Sequence, residues 1–137
     1  VERALSRHNL FNPDGMPPAR GFTYGAVASG GRLLHIAGMT GHAGDGSIDE
    51  GLVEQFGHAC ASVARVVEEA GGEPSDVISM TIYTTDIDGY RSHLEQVGEV
   101  YRRVFGKHYP PMALIGVSEL VDPAAQVELV CVAMVPE

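Results

Sequence analysis

The sequence predicts an α+β domain: a sheet in the order β-β-α-β-α-β-β with two helices on one face. Three observations carry this. Segments rich in β-branched residues with a period of two alternate with two stretches of helical period. Glycine-containing turns and stops separate them. The chain has 137 residues, 45% hydrophobic and 20% charged, a size and composition that suit one globular domain. We take the whole of 1–137 as that domain, with its core at roughly 10–134.

Phe22 to Ala28 and Arg32 to Ala37 read as strands joined through Ser29-Gly30-Gly31, a hairpin signal in which glycine supplies positive φ. A glycine-rich connector, Gly38 to Gly46, follows. Ser47 and Glu50 then have capping-box spacing, predicting a helix whose stripe is Val53, Phe56, Cys60, Val63, Ala64 and Val67 and which Gly71-Gly72 ends. Val77 to Thr85 alternates as a strand, with Ser79, Thr81, Tyr83 and Thr85 on one face and Ile78, Met80 and Ile82 on the other. Asp86 or Asp88 can cap a second helix with stripe Tyr90, Leu94, Val97, Tyr101 and Val104, closed by Gly106. Met112 to Val117 and Gln126 to Met134 are the last strands, with a turn at Asp122-Pro123 between them. Gln126 to Met134 is apolar on both faces. With two helices covering one side, the other must pack on something, and a closed homo-oligomer is the simplest partner.

Composition also excludes functions. Nine Lys and Arg against 18 Asp and Glu give a net charge of −9, and Arg102-Arg103 is the longest basic cluster. Such a chain repels phosphate backbones, so nucleic acid is not expected as a partner. No apolar run is long enough to span a bilayer, and Val1 to Leu10 lacks the continuous apolar stretch of a secretory signal. Cys60 and Cys131 have no CxxC spacing and read as buried thiols in a reducing, cytoplasmic setting. The six histidines (His8, His35, His42, His58, His93 and His108) form no metal-ligand spacing, so a metal is not expected. His35 alternates with Leu33 and Ala37 and reads as a core histidine. Gly38 to Gly46 lacks the lysine of a phosphate loop, and there is no serine-nucleophile motif.

Glu128 is the residue that stands out, a carboxylate in mid-strand between Val127 and Leu129. Burying it unpaired costs several kcal/mol or raises its pKa. One reading makes it an edge position or a structural ion pair; the other makes it a proton donor or water-positioning acid in an oligomer cleft. Tyr24, beside Gly25, is either an interface tyrosine or a hydroxyl that hydrogen-bonds a ligand.

Segments across most of the chain resemble the RidA (YjgF-type reactive intermediate deaminase) family. Phe22-Thr23-Tyr24 and Ala37-Gly38-Met39 are similar to its G-P-Y and S-G-Q segments. Glu54-Gln55 with Glu69-Ala70-Gly71-Gly72 resembles its first helix, and Thr81 with Thr85-Asp86-Ile87 its third strand. Tyr101, Phe105 and Tyr109-Pro110 resemble its Y-x-x-x-F and P-A-R run, and Val127-Glu128-Leu129 with Ala133 its closing strand. The resemblance implies a chorismate-mutase-like fold, a homotrimer and ligand sites in the clefts between subunits. It implies hydrolysis of enamines and imines, such as 2-aminoacrylate, to a 2-oxo acid and ammonia without a cofactor. Glu128 is then the proton-handling acid, and Tyr24 a ligand-contacting hydroxyl.

The departures bear on the substrate. Met112 stands where the family has the arginine that holds a substrate carboxylate, and Leu114 where it has a cysteine. Ala37 and Met39 replace its serine and glutamine, and Gly98 an asparagine of the second helix. Methionine cannot replace a bidentate arginine. The expected pocket, lined by Met112, Met39 and Leu114, is therefore wider and more apolar, and 2-aminoacrylate a poor substrate for it. Two readings follow: a divergent imine or enamine hydrolase, or a non-catalytic trimer that binds a metabolite or a protein.

Overall fold

The computed structural model describes residues 6–137. Four short strands come first: β1 (Asn9–Phe11), β2 (Gly25–Val27), β3 (Arg32–His35) and β4 (Met39–Thr40). Helix α1 (Leu52–Glu69), strand β5 (Val77–Thr84), helices α2 (Ile87–Ser92) and α3 (Leu94–Phe105), and strands β6 (Met112–Gly116) and β7 (Val127–Val135) follow. The main sheet runs β3-β7-β5-β6, with β4 also beside β7; β5 and β6 are parallel and the other pairs antiparallel.

Strand β7 carries the logic of the fold. Val127, Leu129, Cys131, Ala133 and Val135 are buried, while the alternate residues Glu128, Val130, Val132 and Met134 are half-buried. The first set packs against α1, whose buried stripe is Leu52, Gln55, Phe56, Ala59, Cys60, Val63, Ala64 and Val67. On β5, Met80, Ile82 and Thr84 face the same core. A register shift between Val77 and Ser79 buries Val77 as well. Removing this apolar surface from water at about 25 cal/mol per Å² is the main stabilising term. Both cysteines are free and buried, and burial pushes their thiols above the ordinary range.

Among the described residues no helix lies on the far face of the sheet. Cross-strand partners share a face, so Leu33 with Met134, His35 with Val132, Thr81 with Val130, and Tyr83 with Glu128 all lie there. Leu33 is 55% exposed and Ile115 43% exposed on that side. His35 is therefore exposed on the open face and is not a core histidine. No helix among the described residues is long and apolar enough to cross a membrane.

Several local expectations are corrected. The segments around 22–28 and 32–37 do not pair as a hairpin: β2 pairs with β1, and β3 with β7. The Phe11 ring lies over Gly25, its cross-strand partner, where a Cβ would meet it at 2.8 Å from Cε1. Gly30, at φ 68°, still makes the turn. Ser47 does not start a helix: its N–H and hydroxyl both donate to Asp45 Oδ1, and α1 begins after Gly51. The second helix is broken at His93, which leaves helical geometry as its Nδ1 bonds to the Gly89 carbonyl at 2.8 Å. The break turns Leu94 outward, to 58% exposure, and Phe105 rather than Val104 fills the core. Asp86 caps α2, accepting from the Gly89 N–H at 2.9 Å, and Gly106 at φ 62° ends α3.

Candidate functional site

The residues singled out by sequence fall on the two sides of the sheet. Glu128 sits on the open face, half-buried rather than buried, and its carboxylate has no hydrogen-bond partner among the described residues. It lies across β4 from Thr40 and across β5 from Tyr83. Gly38 is what lets the carboxylate lie flat there, since a Cβ at that position would collide with the Glu128 carboxyl group. Sequence reading noted Gly38 as part of a motif, but its role depends on a contact between segments ninety positions apart (128 − 38).

A hydrogen-bonded chain leads away from this spot. The Thr40 hydroxyl donates to His42 Nδ1 at 2.6 Å, and His42 Nε2–H donates to Asp122 Oδ2 at 2.8 Å. The Ala124 N–H on Oδ1 and the His42 N–H on Oδ2 hold the Asp122 carboxyl below the ordinary carboxylate range. His42 thereby ties β4, which carries Thr40 and follows Gly38, to the turn that leads into β7. No sequence spacing revealed this link. Gln55 reinforces it: fully buried, it donates to the carbonyls of Asp49 (2.7 Å) and Ala124 (3.0 Å) and accepts from the Gln126 N–H (2.8 Å).

Met112, Leu114 and Gly98 come together on the helix side. They line a cavity of about 590 Å³ between α2, α3 and the edge strand β6, with Phe56, Val97 and Phe22 around them. Its tyrosines belong to the wall rather than to acid–base chemistry. Burial, helped by the nearby Cys60 thiol, pushes Tyr90 up to about 12. Tyr101 is raised in the same way and donates to the His108 carbonyl. Tyr101 also stacks on Tyr109, with ring centres 5.4 Å apart. Arg20 and Arg102 stand on the cavity wall as well.

The remaining expected residues lie apart from both. Met39 pairs with Leu129 and packs against the core on the helix side, whereas Ala37 is exposed beside Gly38. The Tyr24 hydroxyl donates to the Pro17 carbonyl at 2.8 Å, and its N–H donates to Asn12 Oδ1, so it anchors the loop before β2. Its ring packs edge-on against Phe22, a wall residue of the cavity. No cluster of three or more His, Cys, Asp or Glu suited to a metal ion exists among the described residues.

Comparison with known proteins identifies the family and the fold. A family model described as endoribonuclease L-PSP matches residues 15–135. A RutC family protein from Aquifex aeolicus is 30% identical over 102 residues, covering 73% of this chain and 80% of its own. One from Drosophila melanogaster is 27% identical over 113 residues, covering 81% and 78%. Among solved structures, a conserved Rid-family protein of unknown function from Yersinia pestis superposes with a TM-score of 0.84 at 25% identity, covering 93% of this chain and 98% of that one. A member of the YjgF/YER057c/UK114 family from Mycobacterium tuberculosis gives 0.62 at 28% identity, covering 93% and 99%. The fold is the chorismate-mutase-like fold of these neighbours, and the chain belongs to the RidA/YjgF family.

Proposed function

We propose that this chain hydrolyses a small imine or enamine, releasing ammonia, at the clefts between subunits of a homotrimer. One observation carries the reading. Glu128 presents an unpartnered carboxylate on the uncovered sheet face, while the cavity with Met112, Leu114 and Gly98 opens on the opposite side. A single chain holds two halves of a site with the sheet between them. A second copy seated on the open face would bring its cavity edge to Glu128 and cover Leu33, Val130 and Val132.

In that cleft water adds to the imine carbon as the C=N bond becomes C–N, and Glu128 passes a proton to the nitrogen. The carboxylate then takes one proton from the added water and passes it to the amino nitrogen; collapse to the carbonyl expels ammonia, and the remaining hydroxyl proton returns to Glu128. Imine and water thus give carbonyl compound and ammonia. Nothing in these steps calls for a cofactor. Tyr24 holds the loop that bears Phe22, and its hydroxyl retains lone pairs that can accept from a ligand. Two buried free thiols suit a reducing compartment such as the cytoplasm.

The test is ammonia release from imines generated in situ by amino-acid oxidases, with Glu128→Gln beside the wild type and sedimentation to count subunits. Glu128→Gln should keep the trimer and lose turnover by a hundredfold or more, within the usual ~10²–10⁴ range for a positioned acid. Equal rates in the two proteins would remove Glu128 from the mechanism. The replacement of polar residues by Met112, Leu114, Ala37, Met39 and Gly98 favours a second reading, a trimer that binds a metabolite or protein without turning it over. Saturable binding with no ammonia from any imine would establish that reading. RNA cleavage, suggested by the family model's description, is opposed by the net charge of −9 and the lack of a basic stripe.

A further inference from the structure

We propose that the cavity takes an anion with a bulky apolar body, and that Arg102 on α3, in the space left by Gly98, is the group that holds its charge. The proposal rests on the reading of this cavity as part of the ligand site, and it names the ligand class.

The first observation is the state of the two arginines. In a chain with twice as many acids as bases, most described arginines are engaged: Arg7 with Asp76, Arg32 with the carbonyls of Ala70 and Pro136, Arg91 with Asp88 and Arg103 with Glu99. Arg20, Arg65 and Arg102 form no ion pair or side-chain hydrogen bond among the described residues, and of these Arg20 and Arg102 border the same cavity. Two unpaired cations on the wall of one concavity in an acidic protein draw anions to it.

The second observation is Gly98. A Cβ built there would lie 2.9 Å from Arg102 Nη1, so glycine lets the guanidinium lie back over the second turn of α3, beside the cavity. Any larger residue would push it away. The loss of a side chain at 98 and the position of Arg102 are therefore one feature, and the planar fork of arginine suits a carboxylate or other oxyanion.

The third observation is the lining. Met112 and Leu114 on β6, Phe22, and Leu94 and Val97 on α3 provide the remaining wall, and apolar surface dominates it. A volume of about 590 Å³ exceeds what a three-carbon substrate fills and matches a ring-sized body. Charge on the helix side and apolar room on the strand side select an amphipathic anion.

The experiment titrates the intact protein with 2-naphthoate and, separately, with neutral 2-naphthylmethanol, using calorimetry at low and high salt. Wild type should bind the acid at least about tenfold more tightly than the alcohol, with the gap narrowing as salt rises. Arg102→Gln should remove most of the gap while leaving alcohol binding unchanged, Arg102→Lys should keep more of it, and Gly98→Val should weaken the acid selectively. Equal affinity for acid and alcohol, no binding of either, or an undiminished gap in Arg102→Gln overturns the proposal. Near-ultraviolet circular dichroism and subunit count check that each variant is folded. Failure of the anion site therefore shows in binding, and failure of the hydrolase reading shows separately in ammonia release.

Discussion

Gln55 offers the sharpest test of how the site is held. It is fully buried in α1, and its amide makes three hydrogen bonds, to the carbonyls of Asp49 and Ala124 and from the Gln126 N–H. These bonds fix the entry to α1, the 122–125 turn and the residue before β7, two positions from Glu128. Gln55→Met keeps the length and volume of the side chain and removes only its polar atoms. Three bonds at about 1 kcal/mol each, together with one half-buried N–H left without a partner, give a loss of ~3–4 kcal/mol. Asp49 and Ala124 are exposed, so water recovers part of what their carbonyls lose and the estimate stays in single digits. For a domain of this size that is a fall of roughly 10 °C in Tm. Urea unfolding at one fixed protein concentration measures it, because association adds to apparent stability. A loss below ~1 kcal/mol with an unchanged m-value would show that the three bonds do not hold these segments together. The E-Q pair seen in the sequence would then lack its physical explanation.

Two further outcomes follow from single contacts. In Gly38→Ala the new Cβ meets the flexible end of Glu128, so the carboxylate swings aside at a cost of ~1 kcal/mol or less while turnover falls by about a hundredfold; full activity in a folded variant would show that the Gly38–Glu128 contact is idle. His108 is depressed by burial, with Nε2–H on the Val77 carbonyl at 2.7 Å, Nδ1 unpartnered, and His8 and Asp76 facing it. Below about pH 6.5 the unfolded chain takes up the proton more readily than the folded one. Stability is therefore complete above that pH and declines beneath it. The urea midpoint should fall more steeply between pH 7 and 5 in the wild type than in His108→Asn, and matching slopes would contradict the assignment.

The periodic elements were legible because their signal is local. The stripe of α1, the alternation of β5 and β7, the Asp86 cap and the Gly106 stop are each written within a few residues. What was lost depends on distant partners. Gly30 announces a turn, but whether Arg32–His35 pairs back or crosses to β7 is decided by an edge a hundred residues away, and that edge won. The capping spacing of Ser47 and Glu50 was real in sequence, yet Asp45, two residues upstream, captured the serine first. His93 reads as ordinary helix surface until its ring is seen bonding back to Gly89. Strands of two or three residues, such as Met39–Thr40, carry no period at all.

The same limit explains why the candidate site looked continuous in the sequence and is divided in the structure. Leu114 pairs with Ile82, and Ile115 pairs with Tyr83, which in turn pairs with Glu128. Alternation therefore puts Leu114 and Glu128 on opposite faces, and a slip of one residue would have joined them. Resemblance alone named Glu128, Met112 and Leu114 together without regard to side. Register separates them, and that separation gives the uncovered apolar face a purpose. Leu33, Val130 and Val132 need a cover, Glu128 needs a wall, and the cavity beside β6 needs an acid. In the proposed trimer, the two neighbouring copies of the same chain would together meet all three requirements. Subunit association and the chemistry at Glu128 then become a single claim, answered by the same pair of measurements.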